Sequence, residues 1–283
     1  QMNLTDIRYS DFFKINNSYL AVLYILLHSS LDVIFYVIYK YNFQSNHISY
    51  FLEEIIFVFI YNFKALVLLI ICFYVKYLLD DSVGAEAIQS IKINKSKFGF
   101  YIAMSFFSVF GFITFLYGLK DIMIANAMSI KYVEQILWVL VGCILLKEKL
   151  NSNQISGILV SILGVVIVIV SNVKASGDII TYVLPIMAAI CWTISSNFGK
   201  YLVKDQQSIL IHMLYYYIFH IIILILLLFI LNSYFLVKIE VININLGSYE
   251  FIIHILSMTF FYKALKIAPI SLLAPFIYIK LIV

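Results

Sequence analysis

Charged residues are scarce in this sequence of 283 residues. They account for 12% of it, roughly half the share found in a soluble globular domain. Hydrophobic residues account for 64%, and the mean hydropathy is +1.02. The lysines are dispersed along the chain, so nothing favours a nucleic-acid partner. We expect an integral membrane protein with many spans, because the chain is far longer than one helical hairpin requires.

Cysteine is also rare. Cys72, Cys143 and Cys191 each lie inside an apolar run, and none has the paired spacing of a metal site. Small apolar packing residues are the simplest interpretation. The sequence therefore predicts no disulfide, no metal site and no cofactor.

Familiar catalytic signatures are missing as well. The sequence contains no Walker loop, no Gly-x-Ser-x-Gly and no His-Glu-x-x-His, and it has no long hydrophilic domain to hold such a motif. An intramembrane enzyme stays open only because His28 and Asp32 are titratable residues within an apolar run. We predict a protein that is not an enzyme.

Long apolar runs dominate the chain. A bilayer core of about 30 Å takes roughly 20 helical residues. The runs have that length and lack the two-residue alternation of a transmembrane barrel. Eight spans are predicted, and a ninth begins near 267 and is cut at Val283. The eight spans are 18–39, 53–75, 98–119, 121–146, 154–172, 179–203, 208–231 and 247–266.

Lysine and arginine are distributed unevenly between the loops. With residues 1–17 in the cytoplasm, twelve of these cations lie inside and four outside, which agrees with the positive-inside rule. The inside set is Arg8, Lys14, Lys76, Lys92, Lys95, Lys97, Lys147, Lys149, Lys200, Lys204, Lys263 and Lys266, and the outside set is Lys40, Lys120, Lys174 and Lys238. The remaining three cations, Lys64, Lys131 and Lys280, fall within spans.

The chain contains a degenerate internal repeat. Phe115-Leu-Tyr-Gly-Leu-Lys120 recurs as Phe261-Tyr-Lys-Ala-Leu-Lys266, and the same register aligns Tyr132 with Tyr278 and Glu134 with Lys280. Each half would hold five spans, an odd number, so the halves would have opposite orientations. Inverted repeats of this kind build transporters whose substrate site lies near the membrane midplane.

Several segments resemble the EamA-type domains of the drug/metabolite transporter superfamily. They are Leu146-Lys-Glu-Lys-Leu150, the run from Gln154 through Gly157 to Gly164, and Ala188-Ala-Ile-Cys-Trp192 continuing to Lys200. The resemblance implies an all-α polytopic fold of ten helices in two inverted five-helix repeats. Residues 18–172 would form the first repeat and 173–283 an incomplete second one, lacking the tenth helix. A fragment and a disrupted gene are both open explanations.

The same resemblance implies a secondary carrier of a small organic metabolite, working by alternating access in a bacterial inner membrane. Ser29-Ser-Leu-Asp32-Val, followed by Glu54, is similar to S-adenosylmethionine uptake carriers of intracellular bacteria. S-adenosylmethionine, or a similar zwitterion or cation, is therefore the favoured substrate. An amino-acid or drug exporter and a nucleotide-sugar transporter are alternatives, and a non-transporting scaffold or an inactive truncated product is an alternative of another class.

Glu134 and Lys131 are the leading site residues. An ionised group at mid-span costs about 2.5–3.5 kcal/mol to insert, so it normally faces the bundle interior or a wet cavity. Glu134 could bind a substrate ammonium or sulfonium group, or it could simply neutralise Lys131 as an i, i+3 pair. Lys280, the repeat counterpart of Glu134, could hold a substrate carboxylate.

Other polar and aromatic residues lie within the spans, each with a structural alternative. His28 and Asp32 could serve proton coupling, Lys64 and His220 could bind an anionic group or relay a proton, and Trp138 and Trp192 could form aromatic cavity walls. His212 and His254 lie nearer span ends, so we interpret them as structural. The predicted substrate-binding residues are Glu134, Lys131, Lys280, Lys64, His220, Asp32, His28, Tyr132, Tyr278, Trp138 and Trp192. The expected partners are a small-molecule substrate and the lipid bilayer, with a homodimer left open.

Overall fold

Helices make up almost all of the chain that the structure describes. The computed structural model describes residues 4–45, 51–79, 95–119, 124–131, 133–145, 152–176, 180–204, 208–235, 250–269, 272, 273 and 276. Within these ranges the chain forms nine helices and no strand. They are α1 (Leu4–Ser45), α2 (Phe51–Leu79), α3 (Lys95–Gly118), α4 (Ile124–Lys131), α5 (Val133–Leu145), α6 (Ser152–Ser176), α7 (Ile180–Lys204), α8 (Ile209–Phe235) and α9 (Glu250–Ile267).

Five helices in this part of the chain are long and apolar enough to cross a membrane. Their apolar segments start and end within three residues of the predicted spans. They are Asn17–Ile38, Ile55–Val75, Ser96–Gly118, Tyr182–Lys204 and Ile209–Leu231. Helices α6 and α9 coincide with two further predicted spans. The prediction of an all-α polytopic membrane protein is confirmed.

The first helix is longer than the predicted span. Residues 4–45 contain neither glycine nor proline, the two residues that most disfavour a helix interior. The helical backbone therefore starts at Leu4, within the segment that the hydropathy pattern treats as a separate cytoplasmic stretch.

The predicted span 121–146 is described as two helices, α4 and α5. Tyr132, which lies between them, is outside the described residues. So are Tyr278 and Lys280, together with the end of the predicted ninth span.

Three helix pairs make the most extensive contacts: α3 with α7, α1 with α9, and α2 with α8. Glycines allow the closest of these approaches. A Cβ at Gly111 would lie 3.1 Å from Cys191 Cβ, and a Cβ at Gly118 would lie 3.1 Å from Pro185 Cδ. Small residues at such contacts are how membrane helices gain van der Waals packing. Gly111 and Gly118 therefore allow α3 to pack closely against α7.

The described interior holds two apolar clusters, while many large apolar side chains are exposed. Tyr101, Trp138 and Tyr262 belong to the first cluster, and Phe35, Tyr61 and Phe115 to the second. Exposed apolar side chains such as Phe229, at 73% exposure, are expected where helices face lipid. Eight of the buried polar residues in the described part of the chain line one cavity, which is the candidate site.

Candidate functional site

A cavity lies among the helices, with residues of α1, α2, α3, α4, α5, α7, α8 and α9 in its lining. Its volume is about 80 Å³, where one water molecule needs roughly 10–15 Å³. Seven of the eleven predicted substrate-binding residues line it: His28, Asp32, Lys131, Glu134, Trp138, Trp192 and His220. Residues from distant parts of the sequence therefore converge on one site.

The four other predicted residues are not among the described residues of the lining. Tyr132, Tyr278 and Lys280 lie outside the described residues. Lys64 is half-buried on α2 and is not among the residues that line the cavity.

Lys131 forms an ion pair with Asp32. Lys131 ends α4 and Asp32 lies in α1, and their Nζ and Oδ2 atoms are 3.5 Å apart. Both residues are 7% exposed, so the pair is almost fully removed from solvent. Lys131 Nζ also donates a hydrogen bond of 3.2 Å to the hydroxyl of Tyr36. Asp32 and Tyr36 are four residues apart, so they share one face of α1.

Aromatic rings surround the same ammonium. Lys131 Nζ lies 4.2 Å from the Trp192 ring centroid, 4.6 Å from that of Tyr36 and 5.4 Å from that of Phe115. A cation within about 6 Å of a ring face is attracted by the ring quadrupole. One carboxylate, one hydroxyl and three rings together hold a charge that would otherwise be costly to bury.

Glu134 lies in the first turn of α5, where a negative side chain is favoured by the helix dipole. It is buried, and its backbone carbonyl accepts a 3.3 Å hydrogen bond from the hydroxyl of Thr193 on α7. This bond ties the start of α5 to α7. Glu134 belongs to the cavity lining, as do Asp32 and Lys131.

The formal charge of the cavity is negative. Among the described lining residues, Asp32 and Glu134 contribute two carboxylates and Lys131 one ammonium. With imidazoles neutral, these sum to −1. A low-dielectric cavity with this charge favours a cation, or the cationic group of a zwitterion.

His28 links α1 to α9. Its Nδ1 lies 2.7 Å from Ser257 Oγ and 3.2 Å from the Ser257 carbonyl oxygen. Because a carbonyl oxygen only accepts hydrogen bonds, His28 Nδ1 is the donor. Ser257 Oγ in turn donates to the His28 carbonyl at 3.3 Å. His28 therefore takes part in a hydrogen-bond network between α1 and α9, which is a structural alternative to a role in proton coupling.

His220 has a defined tautomer. Its Nδ1 donates to the carbonyl oxygen of Tyr216 at 2.7 Å. In the neutral ring Nε2 is then an acceptor, and it has no hydrogen-bond partner among the described residues. Tyr216 is positioned in turn by a 2.7 Å bond between its hydroxyl and Ser108 Oγ.

Three further buried polar atoms in the lining residues lack a partner within the described chain: Tyr61 Oη, Trp138 Nε1 and His254 Nδ1. Nearly all buried polar groups in proteins are hydrogen-bonded, to protein or to water. Sequence reasoning did not single out Tyr61, and it treated His254 as structural from its position near a span end. The rings of Tyr61 and His254 lie 5.2 Å apart, which brings α2 and α9 together at the cavity.

The two tryptophans differ in their surroundings. Trp138 is 1% exposed and its ring lies 5.3 Å from that of Phe261. Trp192 is partly buried, 5.2 Å from Phe115, and contacts the Lys131 ammonium. Both tryptophans pack against neighbouring rings and also line the cavity.

Known proteins show similarity to this chain. The profile of the EamA-like transporter family matches residues 19–170, which is more than half of the chain. An uncharacterized transporter of Bacillus subtilis strain 168, YyaM, is 26% identical over 132 residues. That alignment covers 44% of this chain and 42% of the relative, so the chain matches less than half of that protein. A family of membrane transporters is consistent with apolar helices that enclose a cavity. Because the family profile matches more than half of the sequence, the chain belongs to the EamA-like transporter family.

Proposed function

We propose that this protein is a secondary carrier of a small cationic or zwitterionic metabolite, with the cavity as its substrate site. The observation that carries the proposal is the charge of the cavity. Two carboxylates and one ammonium are buried together among aromatic rings, at a depth where each charge is costly. Such residues in a transporter are substrate or ion sites by default.

The helix pairing supports an inverted repeat. In such a repeat α1, α2 and α3 of the first half would correspond in order to α7, α8 and α9 of the second half. Exchanging the two halves then maps the pair α1–α9 onto the pair α7–α3. The pair α2–α8 is converted into itself. These are the three most extensive pairs in the described structure. Such a repeat suits alternating access, in which one half rocks against the other around a central site.

The size of the cavity is consistent with a carrier that must open. At about 80 Å³ it holds a few water molecules or one charged group, whereas small-molecule pockets are roughly 300–1,000 Å³. Rocking of the proposed repeats 18–172 and 173–283 would widen it. In this mechanism Glu134 attracts the cationic substrate into the cavity, and Lys280 remains the predicted partner of a substrate carboxylate.

S-adenosylmethionine is the favoured substrate, because its sulfonium and amino groups match a cavity with two carboxylates. Amino acids, drugs and nucleotide sugars remain the alternative substrates. The bacterial inner membrane is proposed from the family resemblance, and the cytoplasmic N-terminus from the charge asymmetry of the loops.

Counterflow in proteoliposomes tests the proposal. The full-length protein is reconstituted with unlabelled S-adenosylmethionine inside, and labelled S-adenosylmethionine is added outside. Saturable accumulation that is absent from protein-free liposomes is expected. Without it S-adenosylmethionine is excluded, and the same assay with amino acids and nucleotide sugars separates the other substrates. No exchange with any of them would favour a non-transporting scaffold.

A further inference from the structure

The Lys131 ammonium occupies a site with the chemistry of a ligand-binding site for cations. We call the four residues that form it the ammonium site: Asp32, Tyr36, Phe115 and Trp192. The distances from Lys131 Nζ are 3.5 Å to the Asp32 carboxylate and 4.2–5.4 Å to the three ring centroids. A carboxylate combined with aromatic ring faces is how proteins recognise ammonium and quaternary ammonium groups.

We propose that Lys131 is a tethered internal cation, and that the cationic group of the substrate binds the ammonium site by displacing it. This inference rests on the proposed function, because it assigns the cation subsite of the same cavity. The ligand class is a primary or quaternary ammonium or a sulfonium. Lysine suits this role because its charge is compact and lies on a flexible four-carbon stem.

Displacement is required because the site accepts only one cation. A second ammonium against the same rings would lie within a few ångströms of Lys131 Nζ, and two like charges at such a distance repel strongly in a low-dielectric interior. Asp32 supplies a single carboxylate for both. The apparent affinity for the substrate is therefore lower than the intrinsic affinity of the vacant ammonium site. It is reduced by the fraction of molecules in which Lys131 has left the site.

The internal cation has a clear physical advantage. A buried carboxylate without a counter-charge is strongly destabilising. With Lys131 in the ammonium site, the charge of Asp32 is compensated by the chain itself. A substrate cation that replaces Lys131 compensates the same charge, so Asp32 is never left alone in the membrane.

Tetramethylammonium is the probe that tests this inference. The chain has only two tryptophans, so a Trp138→Phe background leaves Trp192, in the ammonium site, as the reporter of binding by fluorescence. Purified full-length protein in detergent is titrated with tetramethylammonium. In this background Lys131→Met is expected to bind the probe at least tenfold more tightly than the protein with Lys131. Lys131→Arg, which keeps the charge, is expected to show no gain, and Lys64→Met controls for loss of a membrane lysine elsewhere.

A milder variant covers the case in which Lys131→Met does not fold. Tyr36→Phe keeps the ring but removes the hydroxyl that Lys131 Nζ contacts at 3.2 Å. Lys131 is then held less firmly, and binding of the probe should tighten several-fold. Equal or weaker binding in the folded variants, or an equal gain with Lys131→Arg, overturns the inference. The counterflow assay on the unaltered protein is independent of this titration, so the two proposals fail separately.

Discussion

Two sets of residues in the cavity lining, which we call the charged wall and the neutral wall, differ in chemistry. The difference separates the side chains that hold the fold from those whose polar atoms can bind a ligand. The charged wall is formed by Asp32 of α1, Lys131 of α4 and Glu134 of α5. The neutral wall is formed by Tyr61 of α2, His220 of α8 and His254 of α9.

On the charged wall the chain supplies its own counter-charge, since Lys131 pairs with Asp32. On the neutral wall each of the three side chains carries a buried polar atom without a partner in the described structure. Buried charges must be compensated at all times, whereas uncharged polar atoms tolerate an exchangeable partner at lower cost. The charged wall therefore stabilises the fold and can also bind a ligand. The polar atoms of the neutral wall are available to bind a ligand.

The largest effect is expected from Asp32→Asn. This substitution removes the carboxylate from the buried pair and leaves the Lys131 ammonium without it, which typically costs about 3–5 kcal/mol. Thermal unfolding in detergent should show a large fall in stability. The double variant Asp32→Asn, Lys131→Met removes both charges and should recover most of the loss. A single variant that unfolds at the same temperature as the unaltered protein would contradict a structural role for the pair.

A smaller loss of stability is expected from Gly111→Ala, which crowds Trp192, a ring in contact with Lys131 of the charged wall. The new Cβ would lie 3.1 Å from Cys191 Cβ and 3.2 Å from Trp192 Nε1, so α3 and α7 must separate or Trp192 must shift. Overpacking of this kind costs about 1–3 kcal/mol. Gly99→Ala is the matched control, because nothing lies within 4 Å of its Cβ in the described structure. Equal unfolding temperatures for the two variants would show that α3 and α7 have room to spare.

Glu134→Gln tests the charge of the cavity with little change in shape. The formal charge of the described lining falls from −1 to zero, so a cationic substrate loses its electrostatic attraction. Counterflow at low substrate concentration should drop at least tenfold, which corresponds to about 1.4 kcal/mol. Lys64→Gln, outside the cavity lining, should transport normally. Normal transport by Glu134→Gln would remove this residue from the substrate site.

The smallest effect is expected on the neutral wall. In His220→Asn the side-chain amide can still donate to the Tyr216 carbonyl, while the acceptor at Nε2 is lost. A net hydrogen bond contributes about 0.5–1.5 kcal/mol, so substrate affinity should fall several-fold while the unfolding temperature changes little. Both are measured on the same preparation. If stability falls and affinity does not, His220 is a structural residue.

The helices could be predicted from the sequence because their signal is local. A run of about 20 apolar residues requires a membrane helix whatever surrounds it, and the first span was predicted as 18–39 where the apolar segment is Asn17–Ile38. The insertion cost of a charge is local too, which is why Asp32, Lys131 and Glu134 could be selected.

The partners of those charges could not be predicted from spacing. Glu134 is the near carboxylate in sequence, yet the described ion pair joins Lys131 to Asp32, 99 residues away. His254 shows the same difficulty, since its position near a span end indicated a structural role and its ring lies at the cavity. Local patterns carry no information on which helices pack together.

That this chain is a helical membrane protein follows from its amino-acid sequence alone, because the length of an apolar run and the cost of burying a charge in lipid are properties of each segment. The sequence also determined which side chains are too costly to face the bilayer. Tertiary packing was needed to bring Lys131 into a site made by Asp32, Tyr36, Phe115 and Trp192. The four site residues come from three helices, α1, α3 and α7, and Lys131 comes from a fourth, α4. Their convergence depends on the packing of α7 against α3 and α4 and of α1 against α4.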